Sequence, residues 1–281
     1  TVYFDIPPFE IDSVANEDPS KYEFKGVFST GDILPDFKEG LRLMQDKSFG
    51  FAHAIPDSGY NLYETGGRLF GELRLDKKGI TSPGQIEYLT GSFDVELSTL
   101  FLDSLVTPRG IKATLQEGFV DTVSYPSMQA EAYSMSWLAR RDSMVMTNLD
   151  RNKPFQLFDK RAQLKGEMTL RKGGLFGAGE MNIEGAKLMS DSIAFKSQSF
   201  EASHSTLTLA APNSRKPILS TDNARIDFDV ANDIAAISPE IVGSASLEFP
   251  FAQFKTSIPS AIWDVKAKMV TMSKPDDIPI E

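Results

Sequence analysis

The chain contains no cysteine. That excludes disulfides, thiolate metal sites and a cysteine nucleophile, and it leaves the compartment open. Only two histidines occur, His53 and His204, and neither has a second histidine or a cysteine at ligand spacing. A zinc site or a catalytic triad therefore lacks its parts, and an ordinary surface imidazole is the preferred reading of both. No run of about 18 apolar residues is present, which excludes a membrane-spanning helix. Basic residues are in the minority: 29 against 39 acidic ones give a net charge of −10. Such a surface repels nucleic acid backbones and anionic membranes.

What is present can fill a core. Of 281 residues, 41% are hydrophobic and 20 are phenylalanine, so the composition is that of a folded chain. The most informative feature is internal. The stretch Gly59 to Gly91 recurs without a gap at Pro154 to Ala186, 95 positions later. Leu62, Leu69, Gly71, Glu72, Leu75, Lys77, Gly79 and Gly84 match Leu157, Leu164, Gly166, Glu167, Leu170, Lys172, Gly174 and Gly179.

Within the stretch, period-two alternation predicts a half-buried antiparallel strand in each copy. The inward sets are Leu69, Gly71, Leu73 and Leu75, and Leu164, Gly166, Met168 and Leu170. Gly79 and Gly174 are expected at positive φ, Gly84 and Gly179 where the chain re-enters the sheet, and Ile80 and Leu175 as plugs at the hairpin end. Residues 35–58 are ambiguous in isolation, because Phe37, Leu41 and Met44 have helical spacing. The aligned stretches 126–146 and 250–272 decide for strands, since the third carries Pro259 and many β-branched residues. Tyr22 to Phe28 also alternates as a strand. Short strands are expected at 93–101, 111–115, 119–124, 192–195, 200–202, 206–209 and 226–230. The stretches Asn16 to Lys21, Thr107 to Gly110 and Ala211 to Pro217 read as breakers.

These readings predict an all-β fold: an elongated antiparallel stack, solenoid-like or an open β-groove, with repeats of about 95 residues. Tandem sandwiches are the other arrangement considered. The expected organisation is the end of a preceding repeat (1–34), a first unit (35–125), a second (126–249) and the start of a third (250–281). Thr1 is followed by no leader pattern, and the phase of the repeat implies that the chain begins and ends inside repeats, with the tail Lys274 to Glu281 a linker or the start of the next unit.

Three signatures carry a resemblance. They are the hairpin G-x-[LM]-x-L-x-x-x-G-[IL]-x-x-x-G, the run Phe249-Pro-Phe-Ala-Gln-Phe254 leading to Trp263-Asp264, and Lys187-Leu-Met-Ser-Asp191 followed by Ser199-Phe-Glu-Ala202. From about Tyr22 to Met272 the chain resembles very large, uncharacterised β-repeat proteins of the Gram-negative cell envelope. The rhythm of the third signature is also loosely similar to the β-grooves that shuttle lipopolysaccharide. The first resemblance implies an extracytoplasmic location and a shape, but no reaction.

Gly173 to Gly179 lacks the Gly-Lys-Ser/Thr ending of a phosphate loop and reads as a hairpin. Asp222, Asp227, Asp229 and Asp233 could supply hard oxygen ligands to Ca²⁺, but their spacing is not that of an EF-hand and a solvated strand face is preferred. Glu72, Glu167, Asp191 and Glu201 could suggest a glycosidase, yet a carboxylate repeated in each unit is more naturally structural. Glu72 is expected to pair across strands with Arg74. Tyr60, Tyr63, Phe70, Tyr88, Phe155 and Phe158 read as core, Phe70 excepted. No residue is assigned to catalysis, to a cofactor or to a metal, and ligand-binding residues are unknown. The expected function is a non-catalytic structural or interaction segment of a large cell-envelope protein, with other envelope proteins as partners. The alternatives are a lipid- or glycan-binding β-groove and a carbohydrate-active enzyme.

Overall fold

The computed structural model describes residues 1–9, 22–210, 217–240, 245–250 and 252–273. The expected breakers at Asn16 to Lys21 and at 211–216, and the tail from Lys274, lie outside the described residues.

The fold is all-β. The strands are β1 (Tyr3–Asp5), β2 (Glu23–Ser29), β3 (Phe37–Leu43), β4 (Phe49–Ala54), β5 (Tyr60–Leu62), β6 (Gly67–Asp76), β7 (Gly79–Tyr88), β8 (Gly91–Leu100) and β9 (Ser104–Leu115). A small ribbon, β10 (Gly118–Val120) and β11 (Val123–Tyr125), comes next. It is followed by β12 (Met128–Leu138), β13 (Ser143–Asn148), β14 (Phe155–Leu157), β15 (Ala162–Arg171), β16 (Gly174–Ile183), β17 (Ala186–Lys196) and β18 (Ser199–Leu209). The last are β19 (Leu219–Asp222), β20 (Ala224–Asp229), β21 (Ile234–Pro239), β22 (Ala245–Phe249), β23 (Phe254–Ile258), β24 (Ala261–Asp264) and β25 (Met269–Met272). Apart from the ribbon, 23 strands are linked by pairing into one sheet. Among the described residues the only helical turn is a single 3-10 turn at Ala139–Arg141.

Contacts divide the chain into two compact units, Thr1–Ala113 with Ala132–Met146, and Thr114–Glu131 with Thr147–Glu281. Each has its own core. In unit 1, Phe28, Phe37 and Phe51 pack with ring centroids 5.0–5.6 Å apart, and Leu62, Leu69, Leu73, Ile86 and Phe93 are fully buried. In unit 2 the fully buried set includes Phe155, Leu157, Leu164, Met168, Leu170 and Leu175, and Phe200 stacks on Phe228 at 5.2 Å. The inward aliphatics are thus covered by side chains and form closed cores. Burial on this scale is the main favourable term in folding.

The stretch 35–58 forms strands β3 and β4, so cross-strand pairing overrides the helical spacing of Phe37, Leu41 and Met44. Four expectations need correction. The single strand expected at 119–124 is instead the ribbon β10–β11, which turns back at Asp121 and Thr122. Thr107 to Gly110 is not a breaker but lies within β9, where Pro108 and Arg109 are both exposed and Thr107 and Gly110 are buried. Gly110 is required there by packing: a Cβ would sit 2.1 Å from the Tyr133 ring. The expected strands at 200–202 and 206–209 are one strand, β18, carrying a register shift between Ala202 and Ser205, and the residue that absorbs it is His204, with φ of 48°. Finally, Gly71 is exposed and Leu75 only half-buried, although both share the inward phase of Leu69 and Leu73.

The two hairpins, β6–β7 and β15–β16, occupy equivalent positions 95 residues apart. Gly79 and Gly174 have positive φ, as expected, and Ile80 and Leu175 are buried. The other glycines do more than readmit the chain. Gly71 faces Gly84 and Gly166 faces Gly179 across the ladder, all four at positive φ. A Cβ on Gly84 would lie 2.2 Å from the Phe70 carbonyl oxygen, and one on Gly179 would lie 2.3 Å from that of Lys165. In each copy two backbones touch with no room for a side chain.

Candidate functional site

In unit 1 ionisable and hydrogen-bonding side chains converge from β3, β4 and β5. His53 on β4 has Nδ1 2.8 Å from Glu39 Oε2 on β3 and Nε2 2.8 Å from the Tyr60 hydroxyl on β5. The imidazole stacks on Phe37 at 4.0 Å, and the Tyr60 ring lies nearly parallel to it. Period-two alternation explains how the parts meet. Glu39 shares the phase of buried Phe37, so a carboxylate is turned toward the apolar side, where it needs a donor.

The electrostatics fix the direction of the chain. Burial raises the Glu39 carboxyl, but the Gly40 amide, which donates to Oε1 at 2.9 Å, and the imidazole outweigh it. The net effect holds the acid below its ordinary carboxylate range. Burial, then the Glu39 charge, pushes the Tyr60 phenol up, so it keeps its proton. An ionised acid at one end accepts and a protonated phenol at the other can donate, so the tautomer with its proton on Nδ1 satisfies both ends, donating to Glu39 and accepting at Nε2 from Tyr60. The Glu39 side also lines a shallow cleft of about 490 Å³, with Glu23, Lys25, Lys38 and Gly40. Chemically, the chain can hold a proton in a defined place. Each member is also a partner of the next, which makes the group a clamp across three strands.

Sequence reasoning set His53 aside for want of ligand-spaced partners, and missed Glu39 altogether. The signal was available in the inward phase of an acid between Phe37 and Leu41 on an alternating strand. His204 is a surface residue, with Asp191 and Glu240 each 3.9 Å from a ring nitrogen.

The remaining candidates do not converge. Gly173 to Gly179 is the β15–β16 hairpin. Of the four aspartates, Asp227 pairs with Arg225 at 3.3 Å, Asp229 accepts from Asn232, and Asp222 is exposed at the end of β19. Asp233 alone of the four is buried, held by the half-buried Arg161 and by the exposed Lys266 at 2.8 Å. Hydrogen bonds from Lys266 and Arg161 lower its carboxyl. Among the described residues no group of three or more His, Asp or Glu is arranged to hold a metal. Glu72 does pair with Arg74, but along one strand, β6, rather than across two. Glu167 is exposed, and Glu201 pairs with Arg225 at 2.9 Å. Tyr63, Tyr88, Phe155 and Phe158 are core residues, and Tyr88 packs 4.7 Å from Trp137.

Comparison with protein-family models, with curated proteins and with solved structures finds no match in any of the three.

Proposed function

We propose that the chain is a non-catalytic structural and interaction segment of a large cell-envelope protein, presenting its β surface to partner proteins outside the cytoplasm. One observation carries the reading: the two copies share geometry and not chemistry. The paired glycines, the strand starts and the buried aliphatic faces recur, whereas His53 and Tyr60 are replaced 95 residues later by Asn148 and Phe155. A duplicated scaffold with unduplicated polar groups fits a part used for shape. The location rests on the resemblance in sequence. Among the described residues no helix is long and apolar enough to cross a membrane.

The test is in-cell crosslinking of the tagged full-length parent, followed by mass spectrometry. Crosslinks from exposed residues of this segment to a defined envelope protein are expected, and their loss on charge reversal at those residues. Crosslinks confined to the segment itself would defeat the reading. The filled cores support it over a groove lined along its whole length. Of the lipid- or glycan-binding alternative, the lipid arm is favoured by one local feature, a cavity in unit 2.

A further inference from the structure

That cavity has a volume of about 660 Å³, within the usual range for small-molecule sites. Trp263 and Leu209, both buried, form its floor. Ile218, Val265 and Val270 form apolar sides, and Ile218 is 44% exposed. One wall is ionic. Arg161 donates to Glu184 at 2.8 Å, to Asp233 and to the Val230 carbonyl at 2.6 Å, and Lys266 holds the second Asp233 oxygen at 2.8 Å. Lys268 also lines the cavity and has no ion-pair partner among the described residues.

The lining selects a ligand class. Three cations and two carboxylates leave a surplus of one positive charge, on a chain whose net charge is −10. Both carboxylates are taken by Arg161 and Lys266, so a cationic ligand finds no free acid. A sugar needs many hydrogen-bonding partners, and here the polar groups of the wall satisfy one another while the floor and sides are aliphatic and aromatic. A free ammonium beside a branched apolar cavity fits a molecule with one anionic end and one hydrocarbon chain. We propose that this cavity binds a single-chain anionic amphiphile, with the chain against Trp263, Leu209 and Ile218 and the acid group at Lys268. This goes beyond the interaction role proposed above and does not depend on it.

The two tryptophans provide the test, because Trp137 is fully buried in unit 1 and Trp263 lines the cavity. Palmitic acid brominated in mid-chain is titrated into the chain below its aggregation concentration, and tryptophan fluorescence is read. Saturable quenching is expected, and Trp263→Phe should remove it while leaving the Trp137 emission. Ile218→Asp should weaken binding about tenfold, the loss expected for one displaced aliphatic contact. Lys268→Glu should weaken the brominated acid several-fold and leave its methyl ester unchanged. Urea midpoints for each variant separate lost binding from lost folding. The proposal is overturned by non-saturable quenching, by quenching that survives Trp263→Phe, or by a brominated alkylammonium that binds as tightly as the acid.

Discussion

The hairpins β6–β7 and β15–β16 are built to one plan with different side chains. Both end in a buried aliphatic plug, and both bring two glycines face to face. Around that frame the neighbours diverge. Copy 1 places His53 and Tyr60 beside the hairpin as members of a polar clamp. Copy 2 places Asn148 there, whose Oδ1 accepts from the Gly166 amide at 3.0 Å, and a fully buried Phe155. Copy 1 also begins β6 with Gly67, where a Cβ would lie 2.3 Å from the Trp137 ring, while copy 2 begins β15 with a buried Ala162. The difference teaches that backbone proximity, not side-chain chemistry, defines the shared unit.

The strongest way to break that comparison is at the glycines. Gly84→Ala and Gly179→Ala each place a Cβ on a facing carbonyl at an unfavourable φ. Each should cost about 4 kcal/mol or prevent folding, read as a loss of urea midpoint. If only one does so, the hairpins are not equivalent. Next come the inward faces. Leu73→Ala and Met168→Ala remove fully buried side chains at matching positions, and each should cost about 3 kcal/mol.

The polar clamp sharpens the contrast. Tyr60→Phe gives copy 1 the residue type of copy 2 and leaves His53 Nε2 without its donor. It should cost about 1 kcal/mol, and less again when combined with His53→Asn, because the two changes share one hydrogen bond. The pH dependence follows from Glu39. Its folded pKa lies below its unfolded value, so its contribution is fully present above the ordinary carboxylate value of about 4.3. That contribution is lost as pH falls from there through the lowered folded value. Denaturation between about pH 6 and pH 3 should therefore show a downward limb that Glu39→Gln flattens. The smallest effect is expected at Arg74→Ala. Its ion pair with Glu72 is exposed on both sides, and the change should stay within about 0.5 kcal/mol.

Much of the fold was legible because it follows local rules. Alternation located the strands, and alignment of three stretches resolved 35–58, where the spacing of Phe37, Leu41 and Met44 alone misleads. Bulges were not legible. Nothing in the sequence said that β9 continues through Pro108, or that His204 takes up an extra residue in β18, because a bulge is fixed by what the neighbouring strand does. The site was less legible still. Glu39, His53 and Tyr60 are separated by loops, and their meeting depends on strand pairing that no spacing rule encodes. The Arg161–Asp233 contact spans 72 residues and is wholly a product of the fold.

The facing glycines also limit how such a chain can vary. A Cβ on Gly71 would lie 2.8 Å from the Pro83 carbonyl oxygen and one on Gly84 2.2 Å from that of Phe70, so neither position can accept a side chain while the opposite strand stays in place. Nor can both change together, because each would then strike the backbone oxygen already in contact. The hairpin is therefore a fixed point in sequence space. Its surroundings can drift in charge, in turn composition and in surface chemistry, while the crossing itself admits no gradual replacement.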